Sequence, residues 1–429
     1  MKQFLKSSIK YCLAMLAGVG LSYMIMAPTP YSLTNKAKQS PKTENVSKSI
    51  GEKATEIDFE NIENKYDTYE KAYVKRKEEK EYKEDKYDKA EKAELINEDT
   101  FKNAYAYSTL LNENKMIYNE IYTAMLHYKK NIILKNMDLN LLQNIYATID
   151  ADNPELFWVN GYSYVRHNTK EKGKYIEFKP AYIMTEQEAK SYQKQIDKVV
   201  DKILSNVTPE MSDYDKSKYI YKTLIANVDY DKNAKNNQNI ISVFLNHKTV
   251  CKGYAAAAEY LFHKLGMECV IISGKTGKTS HGWNAVKLDG NWYYFDITWG
   301  NSNYIQNKEK KKFINYGYLN ITELDLCKTH DIMSSFQVPT CNSIEDNYFI
   351  KEKRYIISFD KDEIGNIIKK DYDNMNETCD IRFANKKIYK EAIKYLITDG
   401  NISRYCKGMK KYYYFENKAE NIITFYFNK

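Results

Sequence analysis

The sequence predicts an α+β protein, and three observations carry that reading. First, Cys251 precedes a small-residue run, Ala255–Ala258, followed by Tyr260, Leu261, Phe262 and Leu265; Gly266 then supplies a helix stop. Second, His281–Leu288 and Asn291–Thr298 read as strands, and Asp289-Gly290 between them is a two-residue hairpin signal. Third, residues 346–429 mix four short strand-like runs with two helical ones.

The 429-residue chain has room for two to three domains and can bury a core without a disulfide framework. Its formal charge is +8, but 60 of the 65 basic residues are Lys, and they are interleaved with Asp and Glu. Nucleic-acid binders gather basic residues on one face and favour Arg for base contacts, so no nucleic-acid partner is expected. The seven cysteines show no C-x-x-C spacing. Cys327-Lys-Thr-His330 has the form of half a zinc site, yet no second half follows. Neither a metal nor another cofactor is expected.

In chain order, residues 1–35 read as a targeting element. Lys2, Lys6 and Lys10 precede an uncharged apolar run from Tyr11 to Ala27. Without a clean small-x-small site, and with Pro28 after Ala27, an uncleaved signal anchor is favoured over a removed signal peptide. The expected location is the extracytoplasmic face of a cell membrane, or outside the cell if the segment is cleaved. Residues 36–100 form a charged helical or disordered spacer; residues 31–100 carry 15 basic and 18 acidic side chains and no sustained apolar stripe. Residues 101–184 begin with helical periodicity through Leu110, Leu111, Ile117, Ile121, Met125 and Leu126. A second helix covers Leu139 to Ile149, and strands are expected around Phe157–Val165 and Lys174–Phe178. Residues 185–345 form the chemical domain, opened by the capping box of Thr185 and Glu188. A further helix starts at Asp213 or Asp215. Residues 346–429 form a small α+β module with strands at Tyr355–Phe359, Cys379–Phe383, Tyr412–Phe415 and Ile422–Phe427.

The chemistry concentrates in residues 249–301, which hold three of the four tryptophans. A cysteine at a helix N-terminus feels the positive end of the dipole, which favours thiolate. If Asp289 and Gly290 form the hairpin loop, Leu288 pairs with Asn291, Trp283 faces Asp296 and His281 faces Thr298. His281 and Asp296 are then diagonal neighbours on one face, within reach of a hydrogen bond. The other face carries Val286, Leu288, Tyr293, Phe295 and Ile297, a core face. A Cys251–His281–Asp296 relay follows: nucleophile, general base and acid, and orienting carboxylate. Gly274-Lys-Thr-Gly277-Lys278-Thr279 ends like a phosphate-binding loop, but its first glycine falls out of register and a strand follows; it reads as a flexible loop beside the site.

The pattern C-x-G-Y-A, then H-x-W-N-x-V-x-L-D-G-x-W-Y-x-x-D-x-T-W, resembles the transglutaminase-like superfamily, and within it the bacterial branch similar to kyphoscoliosis-peptidase-type cysteine proteases. It is carried by Cys251, Gly253, Tyr254, Ala255, His281, Trp283, Asn284, Val286, Leu288, Asp289, Gly290, Trp292, Tyr293, Asp296, Thr298 and Trp299. The resemblance is close over residues 249–301 and looser from about 140 to 345. It implies a papain-like α+β core, in which a helix bearing Cys packs on an antiparallel sheet bearing His and Asp. It also implies acyl transfer through a thioester, with Gly253, Tyr254, Trp283, Asn284 and Trp299 supporting the site. In the family an acidic residue often follows D-x-T-W; this chain has Gly300-Asn301 there. The expected partner is a protein or peptide substrate, with peptidase or amidase activity ahead of protein cross-linking. A non-catalytic surface binding module on the same fold is the other class.

Overall fold

The computed structural model describes residues 51–53, 95–135, 137–169, 173–301 and 314–428. The expected targeting segment, and nearly all of the expected spacer, lie outside the described residues. Three residues of that spacer, Gly51–Lys53, form a short strand parallel to Tyr412–Tyr414. Among the described residues no helix is long and apolar enough to cross a membrane.

The N-terminal region contains α1 (Asn112–Leu126), β1 (Ile132–Lys135), α2 (Leu139–Asp152), β2 (Val159–Thr169) and β3 (Gly173–Tyr182). The three strands form an antiparallel sheet in the order β1-β3-β2. Both long strands overrun their expected ends, because each finds a full-length partner in the other. Leu111, expected on the apolar face of α1, is the cap residue instead and is exposed. Tyr118, Ile121 and Met125 of α1 pack with Leu142, Ile145 and Ile149 of α2 and with Phe178. Asp138 caps α2 by accepting from the Leu141 N–H.

The chemical domain begins with α3 (Glu186–Leu204), started by the reciprocal capping box of Thr185 and Glu188, and α4 (Asp213–Asn227), capped by Ser212. Helix α5 (Cys251–Lys264) follows, and Gly266 takes φ +74° just past its end. An antiparallel sheet in the order β7-β4-β5-β6 is built from β4 (Cys269–Thr276), β5 (Thr279–Leu288), β6 (Asn291–Phe295) and β7 (Asp331–Ile332). Asp289 (φ +46°) and Gly290 (φ +87°) make the tight turn with left-handed backbone at both positions. Leu288 pairs with Asn291 as expected. One sheet face buries Val286, Leu288, Tyr293 and Phe295 with Ala255–Ala258, Leu261 and Phe262 of α5. The other buries Val270, Ile272, Trp283, Ala285 and Tyr294, together with Ala106 and Ala151 of the N-terminal region.

Two expectations about this sheet are corrected. The returning strand ends at Phe295 rather than Thr298, because Asp296 leaves the ladder to cap a four-residue helix, Ile297–Gly300. The Gly274–Thr279 stretch is a β-hairpin rather than an open loop: β4 continues to Thr276, which pairs with Thr279.

The C-terminal module contains β8 (Tyr355–Ile356), α6 (Lys361–Asp373), β9 (Thr378–Phe383), α7 (Lys386–Ile393), β10 (Lys411–Asn417) and β11 (Ile422–Asn428). Its sheet runs β10-β11-β9-β8, with Gly51–Lys53 at the β10 edge. The first strand is shorter than expected; the other three and both helices stand where the sequence put them. Ile364, Ile368, Ile381, Leu396 and Phe425 give the module its own core. The six cysteines of the described residues carry free thiols.

Candidate active site

Cys251 is the first residue of α5. Val250 before it is extended (φ −116°, ψ −176°), and its carbonyl accepts the first helical hydrogen bond, from the Tyr254 N–H at 3.1 Å. The helix starts in a crowded place. A Cβ on Gly253 would run into Thr249 Oγ1 and come within 2.8 Å of the Asn237 carbonyl, so only glycine lets this turn approach the preceding loop. Side chains then pin the helix. Asn284 Nδ2 of β5 donates to the Ala255 carbonyl (3.0 Å), and the Tyr254 hydroxyl donates to the Val228 carbonyl (2.6 Å) while accepting from Asn301 Nδ2 (2.8 Å). Asn284 and Tyr254 therefore support the site through backbone anchorage.

His281 lies on β5 with its Nε2 2.7 Å from Asp296 Oδ2. The Cys251 side chain also acts on its ring, raising the basicity of the imidazole. With Nε2 on Asp296, Nδ1 is the nitrogen left for another partner. The structure thus pairs His281 with Asp296, and the Cys251 side chain is near enough to act on the charge of that imidazole. They are nearly enclosed: Cys251 is 5 % exposed, His281 4 % and Asp296 1 %. Trp283 stacks on His281 at 5.7 Å between ring centroids, and the Trp299 ring stands 6.5 Å away. Trp299 also donates its backbone N–H to Asp296 Oδ1 at 3.1 Å. Gly300, where the family often has an acid, has no room for a side chain, because the Tyr221 hydroxyl fills that space. That hydroxyl donates to the Asn315 carbonyl at 2.8 Å and lies 3.2 Å from the Asp296 carbonyl.

Sequence reasoning missed His330. Its Nε2 lies 3.1 Å from Asp296 Oδ2, the same oxygen that His281 uses, and its Nδ1 lies 2.8 Å from Thr329 Oγ1. Its only signal in the sequence was the Cys327-x-x-His330 spacing, and that pointed elsewhere: Cys327 is exposed while His330 is buried. His263 bonds the Cys269 carbonyl at 2.9 Å.

The charges follow from these contacts. Burial works against a cation at His281, but the charge and hydrogen bond of Asp296, with those of Cys251, push the imidazole from 6.5 up to about 10. Burial also works against ionised Asp296; His281 first and then His330 hold it well below the ordinary carboxylate range. Burial pulls His330 below the ordinary histidine value, against the opposing pull of Asp296. One carboxylate oxygen therefore serves one charged and one neutral imidazole. The side-chain atoms of His281, Asp296 and His330 lie within 4.8 Å of one another, a closeness that the two Nε2–Oδ2 contacts account for. As placed, both imidazoles spend their Nε2 atoms on the carboxylate.

The neighbouring face of α5 borders a cavity of about 330 Å³, lined by Lys252 and Ala256 with Ile149, Asn153, Phe157 and Asn237 among others. Lys252, next to Cys251, bridges to Asp150 of α2 at 2.7 Å.

The fold and site define a transglutaminase-like α+β protein. Residues 198–297 match the model of the transglutaminase-like superfamily, so the chain carries a transglutaminase-like segment. It is similar to kyphoscoliosis peptidase of Mus musculus, with 28% identity over 131 residues, 26% of this chain and 20% of that protein. The Homo sapiens protein is 28% identical over 119 residues, 24% and 18% of the two chains. The match thus takes in a fifth or less of those relatives' length. Among solved structures the chain is similar to a TGase (17% identity, 39% of this chain and 50% of that one, TM-score 0.24). It is also similar to a candidate cysteine protease from Cytophaga hutchinsonii (15% identity, 32% and 62%, TM-score 0.23).

Proposed function

We propose that the protein is a thiol enzyme that cleaves amide bonds of proteins or peptides through a Cys251–His281–Asp296 triad. The reading is supported by the 2.7 Å contact of His281 Nε2 with the Asp296 carboxylate, beside a Cys251 side chain that acts on the same imidazole. In the proposed reaction the Cys251 thiolate attacks the amide carbonyl carbon. The His281 imidazolium gives its proton to the departing amine as the C–N bond breaks, leaving a thioester on Cys251. Water, deprotonated by the now neutral His281, attacks the thioester; the acid leaves and the thiol is restored. N–H groups of the first turn of α5 have no partner one turn earlier in the helix, and we assign them the oxyanion of the tetrahedral intermediates. Asp296 keeps the imidazole in the required tautomer and offsets its charge. We keep as proposals the attachment to a membrane through Tyr11–Ala27 and the extracytoplasmic location, both resting on the three lysines before that run.

The test compares wild type with Cys251→Ala on a casein-like protein in the presence of a labelled primary amine. Cys251-dependent fragments are expected. Label incorporation without fragments would replace hydrolysis by cross-linking, the other outcome of the same thioester. Catalysis is excluded if Cys251 alkylates no faster at neutral pH than an ordinary thiol and His281→Ala leaves its rate unchanged.

A further inference from the structure

We propose that His330 is a positioning residue for the triad: a neutral imidazole that fixes the Asp296 carboxylate and shares its charge with His281. The inference rests on the catalytic reading above and adds a fourth member to it.

The Asp296 carboxylate receives three donors from three separate segments. Oδ2 takes His281 Nε2 from β5 at 2.7 Å and His330 Nε2 at 3.1 Å; Oδ1 takes the Trp299 N–H of the short helix at 3.1 Å. Three directional bonds from different segments fix both the position and the plane of a carboxylate. His330 can donate to Asp296 only as the Nε2–H form, which leaves its Nδ1 an acceptor. In that form Thr329 Oγ1, 2.8 Å from Nδ1, gives its one hydroxyl proton to the ring nitrogen rather than to the Leu326 carbonyl at 3.4 Å, and so selects the form. The Tyr318 hydroxyl, 3.4 Å from Thr329 Oγ1, extends the chain by one more polar contact. Trp283, Trp299 and Tyr318 surround the His330 ring at 5.0, 4.9 and 5.7 Å between centroids, and the residue is 2 % exposed. The ionisable groups acting on the two imidazoles are Asp296, Cys251 of α5 and, at His330, the His281 imidazole, while Tyr318 and Tyr221 of α4 interact with Asp296.

This arrangement has a chemical consequence. A carboxylate with one strong donor gives its whole charge to that donor, and His281 would then hold its proton too tightly to pass it to a leaving amine. A second, uncharged donor on the same oxygen weakens that hold while keeping the carboxylate ionised. Removing the His330 donor should therefore keep the His281 cation to higher pH.

The experiment measures the rate of Cys251 alkylation by iodoacetamide against pH, read by mass spectrometry on the peptide containing Cys251. Wild type, His330→Phe, His330→Gln and Thr329→Val are compared. The upper step of the profile is where His281 loses its proton. In His330→Phe it moves up by about one half to one pH unit, the equivalent of one hydrogen bond. His330→Gln, whose amide N–H can occupy the place of Nε2–H, keeps the wild-type step. Thr329→Val, which removes the donor that selects the His330 form, moves the step in the same direction as His330→Phe and decides the matter if the Phe variant does not fold. A His330→Phe profile that superposes on wild type overturns the proposal. So does a Gln variant that shifts as far as Phe, which marks a packing role only. A wild-type profile with a single step that ignores His281→Ala removes the catalytic reading, and this proposal with it; two wild-type steps with no response at residue 330 or 329 remove this proposal alone.

Discussion

His281 and His330 bond the same oxygen yet are shifted in opposite directions. At His281 the Asp296 carboxylate, 2.7 Å away, outweighs burial, whereas at His330 burial and the repulsion of His281 outweigh the longer contact of 3.1 Å. The linkage to stability has a definite sign. His281 is raised from 6.5 to about 10, so the stability it contributes is complete below pH 6.5 and is lost as pH rises through about 10. Asp296 works the other way: its contribution is present above the ordinary carboxylate value of 3.8 and is lost as pH falls through its depressed one. Urea unfolding at pH 6.5, 8 and 10 is expected to show wild type losing stability across that window, with the loss much reduced in His281→Ala. Equal slopes for the two proteins would contradict the pairing. On catalysis, Asp296→Asn presents an amide where two N–H donors expect an acceptor, and it disfavours the needed tautomer of His281. Turnover should drop on the order of 10³–10⁴-fold, as when the carboxylate of a comparable triad is replaced by an amide. A loss of less than about tenfold would mean that Asp296 does not orient the base.

Helix α5 is the element on which the site depends, and two of its residues stand at opposite extremes of packing. At Gly253 there is no space, since an added methyl meets Thr249 Oγ1 and the Asn237 carbonyl. Gly253→Ala is expected to cost about 1–3 kcal/mol through overpacking and to displace the first turn that carries Cys251. Thermal unfolding and the Cys251 alkylation rate would report these two effects separately. At Glu259 both carboxyl oxygens are buried without a hydrogen-bond partner, and the residue is 0 % exposed. Burial, then the repulsion of Asp152, Glu155 and Asp150, raises its pKa well above the ordinary value. The folded protein thus holds a proton that the unfolded chain releases above 4.5, and stability falls as pH rises from there. Glu259→Met removes both the unsatisfied acid and this slope, with an expected gain of about 1–3 kcal/mol at pH 8. A destabilised Met variant would reveal a partner for Glu259. The end of α5 and the turn of the β5–β6 hairpin were legible in the sequence because each is encoded locally, by Gly266 and by Asp289-Gly290. The end of β6 was not, because Asp296 exchanges a ladder position for the cap of Trp299. His330 was not legible either: it meets Asp296 across 34 residues, and no spacing rule reports such a contact.

At the scale of the molecule, the transglutaminase-like match covers residues 198–297, yet the packing that supports the site reaches well before it. The sequence suggests a chemical domain from residue 185 to 345, but one face of its sheet is covered by earlier residues. Ala106 and Ala151 belong to the same buried cluster as Val270, Ile272 and Trp283, the tryptophan that stacks on His281. Phe157 lies in the core with Ala256 of α5, and its carbonyl accepts from Asn239 Nδ2 at 3.2 Å. Asp150 holds Lys252 beside Cys251. Asp152 accepts the N–H groups of Ala106 and Tyr107 at 2.9 and 2.7 Å, which ties the segment before α1 to the end of α2. The C-terminal module is joined differently: it has a core of its own, and it meets the chemical domain through Ile422 and through Arg382, whose guanidinium donates to Asp325 at 2.6 Å. A chain beginning at residue 185 would uncover Val270, Ile272 and one side of α5, and apolar area exposed in this way destabilises by about 25 cal/mol per Å². It is therefore expected to lose cooperative thermal unfolding, whereas a chain beginning at residue 95 should retain it together with the fast alkylation of Cys251. Far-UV circular dichroism during heating distinguishes the two. If the chain beginning at residue 185 melts cooperatively and keeps a reactive Cys251, residues 95–184 are an appendage and the site is complete without them.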